Sequence, residues 1–279
     1  MSVITRNHSP QTGLAAPWLL LWLALAGSLL ALLGAGIGST GFESVLNARH
    51  DPLAWQIVMD IRLPRTAAAL LAGGLLGLAG AIAQGVFRNP LADPYLLGSA
   101  SGASLGVALA MAALGVSPFA LAGLARWGVT GAAFVGAVVA VVLTLVLAKG
   151  VQNTMRLLLA GVVVGVVLGA AASLVLLMNP DIMQAMQSFM LGSTAFAGWN
   201  ACALMLWVLL PTLALSWCLS RVLDGLALGE STAHSLGLPL GPLRLLLIVL
   251  LALATGTAVA QTGLIAFVGL AAPHLVRSM

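Results

Sequence analysis

Gly102-Ala103-Ser104-Leu105-Gly106 fits GxSxG, the pattern that presents a nucleophilic serine on a sharp strand-to-helix turn. Chemistry there would be acyl transfer, with a histidine as general base. The surroundings argue against it: the five residues lie in an apolar run with its own glycine spacing, Gly98, Gly102 and Gly106, and no His is placed to serve Ser104. His274, in APHLVR, has no second His or carboxylate at helical spacing, so a hydrogen-bonded structural histidine fits it better than a metal ligand. The one lysine, Lys149, is followed by Gly150 rather than Ser or Thr. There is thus no GxxxxGK[ST] phosphate loop, and the chain cannot hydrolyse ATP alone. Cys202 and Cys218 make no metal-ligand spacing. No cofactor or metal site is expected.

The elements that must position these groups are membrane spans. Of 279 residues, 61% are hydrophobic and 6% charged, against about 25% charged in a soluble domain. The intervals 7–42, 66–87, 94–125, 127–148, 157–180, 182–220 and 245–276 hold no Asp, Glu, Lys or Arg. Each is long enough for a span of roughly 20 residues. The reading is an all-α, polytopic membrane protein with about eight spans, near 17–37, 64–87, 95–116, 127–148, 157–178, 199–220, 244–262 and a short one at 264–276. The whole of 1–279 forms a single domain. With the N-terminus inside, Arg6, Arg88, Lys149, Arg156, Arg221, Arg244 and Arg277 are cytoplasmic, while Arg49, Arg62, Arg65 and Arg126 are outside. The positive-inside rule favours that orientation. The net charge of +4 is scattered between spans, so it signals no nucleic-acid partner.

Three small-residue stripes recur at four-residue spacing: Gly161, Gly165, Gly169 and Ser173; Gly73, Gly77, Ala81 and Gly85; Gly98, Gly102 and Gly106. Such stripes let helix backbones approach closely in lipid, or line a wide passage. The longest polar interruption after residue 65 runs from Arg221 to Arg244. Within it, LGESTAHSLGL reads as short helical turns broken at Gly229 and Gly237, with Ser231 and Thr232 able to cap the second. Glu230 and His234 stand four apart, on one face. Every acidic residue lies in a connection or at its edge, whereas a proton- or sodium-coupled transporter places one at mid-membrane depth. Energy for uphill transport must therefore come from another subunit. A secondary transporter is the alternative reading, and an intramembrane hydrolase built on Ser104 a more distant one.

The run DIRLPRTAAALLAGGLLGLAGAIAQGVFRNPLADPYLLGSASGASLG, residues 60–106, resembles the signature segment of permease subunits of ABC importers for iron–siderophore, haem and cobalamin. MRLLLAGVVVG at 155–165 is similar to that family's fifth span, LGESTAHSLGL to its coupling segment, and TGLIAFVGLAAPHLVR at 262–277 to a further signature. The resemblance implies a homodimer in the bacterial cytoplasmic (inner) membrane, with a central passage, two cytoplasmic ATP-binding subunits and a periplasmic or lipoprotein substrate-binding protein. It implies docking of the binding protein at Arg62 and Arg65, and a pathway along Gly161, Gly165 and Gly169. It also implies contact with the ATPase through Gly229, Glu230, Ser231, Ala233, His234, Leu236 and Gly237. The family pattern has ten spans, so the chain is expected to lack the last two.

Overall fold

The computed structural model describes residues 16–38, 41–42, 51–114, 124–227 and 239–279. Helix α1 spans Ala16–Gly36 and runs into a two-residue antiparallel pairing, Ile37–Gly38 with Gly41–Phe42. Helix α2 is continuous over Pro52–Phe87. A 3-10 turn, Pro94–Leu97, precedes α3, Ser99–Leu114. Then come α4 (Leu124–Leu147), α5 (Thr154–Met178), the short α6 (Met183–Leu191), α7 (Trp199–Cys218), α8 (Ser220–Ala227), α9 (Leu240–Thr262) and α10 (Val268–Ser278). Apart from the small pairing, the described residues are helical or in connections, as the charge-free intervals predict.

Six of these helices are long and apolar enough to cross a membrane: those at 17–36, 52–87, 127–147, 154–178, 199–218 and 240–262. The predicted spans at 95–116 and 264–276 are shorter helices. α3 has 16 described residues, up to Leu114, and α10 has 11. Both begin after a break. Gly98, at φ 79°, closes the 3-10 turn before α3, and Gly263 (φ 72°) and Phe267 (φ 67°) hold the approach to α10 in left-handed backbone. Helix propagation cannot pass such residues.

The core is organised around α9. Two-thirds of its most apolar window is buried (67%), against 11% for α1 at the periphery. It packs on α2, α4, α7 and α3. Two of its buried hydroxyls bond back within the helix: Thr255 Oγ1 donates to Leu251 O at 2.8 Å and Thr262 Oγ1 to Ala258 O at 2.9 Å. The most extensive helix pair is α3 with α4. There a Cβ on Gly102 would collide with the Gly136 carbonyl, and one on Gly136 with the Gly102 carbonyl. Gly102 and Gly106 therefore allow backbone contact with α4, and Gly98 lies against α5; such close approach is a main source of helix association in lipid.

Candidate functional site

Three regions carry polar groups held by tertiary structure. The first is the start of α2. Asp51 caps it, accepting from Leu53 N at 3.0 Å, and Pro52 occupies the first turn, where its missing N–H costs nothing. Ahead lies Pro64, which can neither donate nor tolerate a normal turn before it. The chain answers with a π turn, Val58–Arg62, in which Leu63 N–H bonds back to Val58 O. Leu63 is then unavailable to Met59 O, and Pro64 has no N–H to offer. Nε1 of Trp199, on α7, fills the gap by donating to Met59 O at 3.0 Å, and Cys202 Sγ donates to Pro64 O at 3.2 Å. Arg62 ends this π turn half-buried, whereas Arg65, three residues on, is exposed. At the same end, a cavity of about 300 Å³ opens between Trp199, Asn200, Thr130, Trp127 and Gln261. The buried Nε2 of Gln261 has no hydrogen-bond partner among the described residues. This end offers cations and an amide donor together.

The second region is the 3-10 turn at Pro94–Leu97. Asp93, in the connection ahead of it and outside the spanning helices, caps it by accepting from Tyr95 N at 2.7 Å. Burial pushes the Asp93 carboxyl above its ordinary 3.8, and the Tyr95 N–H only partly offsets that. The carbonyls freed by the break find partners or tight seats: Thr144 Oγ1 of α4 donates to Leu97 O at 3.0 Å, and Gly161 of α5 lies directly on Leu96 O. Tyr95 OH donates to Ile265 O at 3.2 Å, tying this break to the one before α10. Gly269 meets Pro94 Cδ and Leu76 O, and Gly80 meets the Gly269 carbonyl, so α10 can seat only on a residue without a side chain. Gln84, buried on α2, donates from Nε2 to Leu270 O at 3.0 Å and accepts from Arg277 Nη1 at 3.0 Å.

These contacts place the predicted pathway residues. Gly161 is closed off by Leu96, whereas Gly165 and Gly169 are half-buried, a Cβ on them coming 3.8 and 3.7 Å from Ser101 Oγ. The glycine face of α5 thus lies on the chain's own α3 and 3-10 turn. Its opposite face, Val162, Val163, Val166 and Val167, is exposed. The first half of the Gly73–Gly85 stripe has little to pack on: a Cβ at Gly73 meets nothing within 4 Å, and Gly77 only Ala272 at 3.9 Å, whereas one at Gly85 meets Leu223. The closest backbone approach on α2 falls at Gly80, outside that stripe. Gly80 belongs to none of the three stripes, and for Gln84 the one signal in the sequence is a lone Gln inside the charge-free run 66–87. Ser104 sits in the unbroken helix α3 with Oγ bonded back to Ala100 O at 3.0 Å, without the strand and turn a nucleophile elbow needs. His274 is exposed on α10, and no cluster able to hold a metal occurs among the described residues.

The third region surrounds the polar interruption. Gly229, Glu230, Ser231, Ala233, His234, Leu236 and Gly237 lie outside the described residues. On its flanks, α8 packs on α2, where Leu223 Cδ2 would lie 2.8 Å from a Cβ at Gly85. Arg244, in the first turns of α9, is buried (3% exposed) and donates from Nη1 to Val151 O at 2.8 Å and Gln152 O at 3.0 Å.

Residues 18–279 match the model of the FecCD transport family. The chain belongs to that family. Among its relatives is the hemin transport system permease protein HmuU of Yersinia pestis, 38% identical over 97% of this chain and 80% of that protein. The ferric enterobactin transport system permease protein FepD of Escherichia coli is 38% identical over 95% of this chain and 78% of its own length. The vitamin B12 import system permease protein BtuC of Salmonella paratyphi A is 40% identical over 83% and 68%. A solved metal-chelate type ABC transporter in an inward-facing conformation superposes with a TM-score of 0.83 at 28% identity, covering 94% of this chain and 82% of that one. This FecCD-family chain is accordingly a multi-pass permease of the inner membrane, working in an ABC importer with ATPase subunits and a binding protein.

Proposed function

We propose that this permease carries a large iron chelate, haem or siderophore-bound, or a corrinoid into the cytoplasm, as a homodimer with the passage between its two copies. The observation that carries this reading is the breadth of the match. Permeases named for hemin, ferric enterobactin and vitamin B12 align with 83 to 97% of the chain at nearly equal identity. Cargo choice is assigned to the binding protein, because a passage bordered by Gly, Ala, Val and Leu has few groups with which to select.

In this reading the start of α2 faces outward and receives carboxylates of the binding protein at Arg62 and Arg65, whose planar forks suit bidentate pairing. Helix α5 borders the passage. Gly161 contributes by seating α5 on Leu96, and Gly165 and Gly169, half-buried beside Ser101, are assigned to its border. Residues 228–238 take up the ATPase on the cytoplasmic side, with Ala233 and Leu236 as the apolar contact and Glu230 and His234 beside it. The test is reconstitution of the permease with its ATPase and binding protein in liposomes, offering hemin, a ferric siderophore and cobalamin in turn. ATP-dependent accumulation of one of them supports the reading. Accumulation driven by a proton gradient without ATP would instead establish the secondary transporter.

A further inference from the structure

Of the basic side chains whose burial is described, Arg244 alone is buried; Arg65, Arg88, Lys149, Arg156, Arg221 and Arg277 are exposed and Arg62 is half-buried. A cation so near a helix end has a cheaper option, since its stem is long enough to carry the charge out to water. Burying it costs free energy that only well-made hydrogen bonds recover. Those bonds go from Nη1 to two consecutive backbone carbonyls, Val151 and Gln152, in the turn between α4 and α5. The turn is shaped to present them: Lys149 and Gly150 adopt left-handed backbone, at φ 55° and 101°.

What lies on either side of this contact gives it meaning. Arg244 follows residues 228–238 by less than two helical turns, on a helix that begins at Leu240. Beyond the two carbonyls, Asn153 caps α5 by accepting from Arg156 N at 3.0 Å. Before them, α4 carries Thr144, which grips Leu97 O of the 3-10 turn. Gly161, two turns into α5, rests on Leu96 of that same turn. One guanidinium therefore joins the start of α9 to the ends of both helices that hold the break ahead of α3.

We propose that Arg244 is a positioning residue for transport, which clamps the α4–α5 turn to the start of α9. Displacement delivered to residues 228–238 then moves α4, α5 and α9 as one body and reaches the 3-10 turn without being absorbed in the loop. The proposal rests on the reading of this chain as an importer permease driven through residues 228–238. A backbone-carbonyl clamp suits the task because it is indifferent to the sequence of the turn, and both bonds are lost together when the one nitrogen that makes them is removed.

The experiment uses the permease reconstituted with its ATPase and binding protein, comparing Arg244→Met and Arg244→Lys with the parent. Arg244→Met is expected to retain ATPase attachment and hydrolysis while cargo moved per ATP falls about tenfold, a loss in the usual range of coupling between sites. Arg244→Lys, which keeps a cationic donor on a shorter side chain, is expected to fall between the two. An unchanged ratio of cargo to ATP in an assembled Arg244→Met complex overturns the proposal. A second measurement decides the matter should Arg244→Met fail to assemble. Spin labels on Gln152→Cys and Pro242→Cys are expected to keep one narrow separation with and without trapped ATP, and a broadened one in Arg244→Lys. A separation that shifts with nucleotide in the parent overturns the clamp. Failure of the underlying reading is distinct, because the parent itself would then show no ATP-driven uptake.

Discussion

The indole of Trp199 reaches across from α7 to the carbonyl of Met59, 140 positions earlier, at 3.0 Å. That carbonyl lacks an in-helix donor because the π turn diverts Leu63 and Pro64 has no N–H. Removing the indole donor in Trp199→Phe is expected to cost about 0.5–1.5 kcal/mol, the net worth of a typical intramolecular hydrogen bond. Restoring a backbone donor with Pro64→Ala should shrink that cost, so the two substitutions are expected to be non-additive. A double-mutant cycle of thermal unfolding in detergent measures the coupling. Additive losses would mean that the indole serves only as bulk.

Charge reversal at the same end tests its role as a landing site. Arg62→Glu with Arg65→Glu is expected to weaken binding-protein association by at least about tenfold at low salt, with a smaller effect as the salt is raised. Surface-plasmon titration of the binding protein on permease nanodiscs gives the numbers. The half-buried Arg62 is expected to contribute more than the exposed Arg65, since a less solvated pair is less screened.

Gly161 and Gly165 are adjacent in the same stripe but differ in surroundings. A methyl at 161 would be driven into Leu96 O, whereas one at 165 comes no closer than 3.8 Å to Ser101 Oγ. Gly161→Ala is therefore expected to destabilise by about 1–3 kcal/mol and Gly165→Ala by much less. Gly165→Leu should fold and still block uptake if that face borders the passage. Normal uptake in Gly165→Leu would make it a packing stripe throughout.

Asp93 gives a pH signature. Its carboxyl is raised above 3.8 by burial, so its contribution to stability is fully present below the unfolded value and is lost as pH rises through the raised folded one. Asp93→Asn keeps an acceptor for Tyr95 N–H and removes the buried charge. The variant is expected to melt higher than the parent at about pH 7, with the difference closing toward about pH 4. Melting curves at the two pH values decide it.

How far the sequence reveals this architecture depends on the kind of force involved. Spans at 17–36, 127–147 and 154–178 are legible because the cost of charge in lipid leaves intervals without any. The start of α3 is not, since Tyr95-Leu96-Leu97 is as apolar as the helix that follows; the break at Gly98 is a matter of backbone angle. The approach to α10 is misread for the same reason at Gly263 and Phe267. Arg62 and Arg65 stand out as cations where the charge rule disfavours them, but the π turn that sets their unequal burial becomes visible only with Trp199 beside it. The seat of Gly80 on Gly269 joins residues 189 positions apart, and no local pattern announces it.

The burial of α9 has a consequence for how the protein is made. The ribosome delivers α1 to α7 before the helix on which α2, α4 and α7 all pack. Those earlier helices leave the insertion channel into lipid with their central partner not yet synthesised. Until α9 arrives, acyl chains must occupy its slot between them, and they must then be expelled as it enters. Final assembly is therefore a lipid-displacement step, sensitive to how readily the surrounding bilayer gives up its chains, and late in the life of the nascent protein.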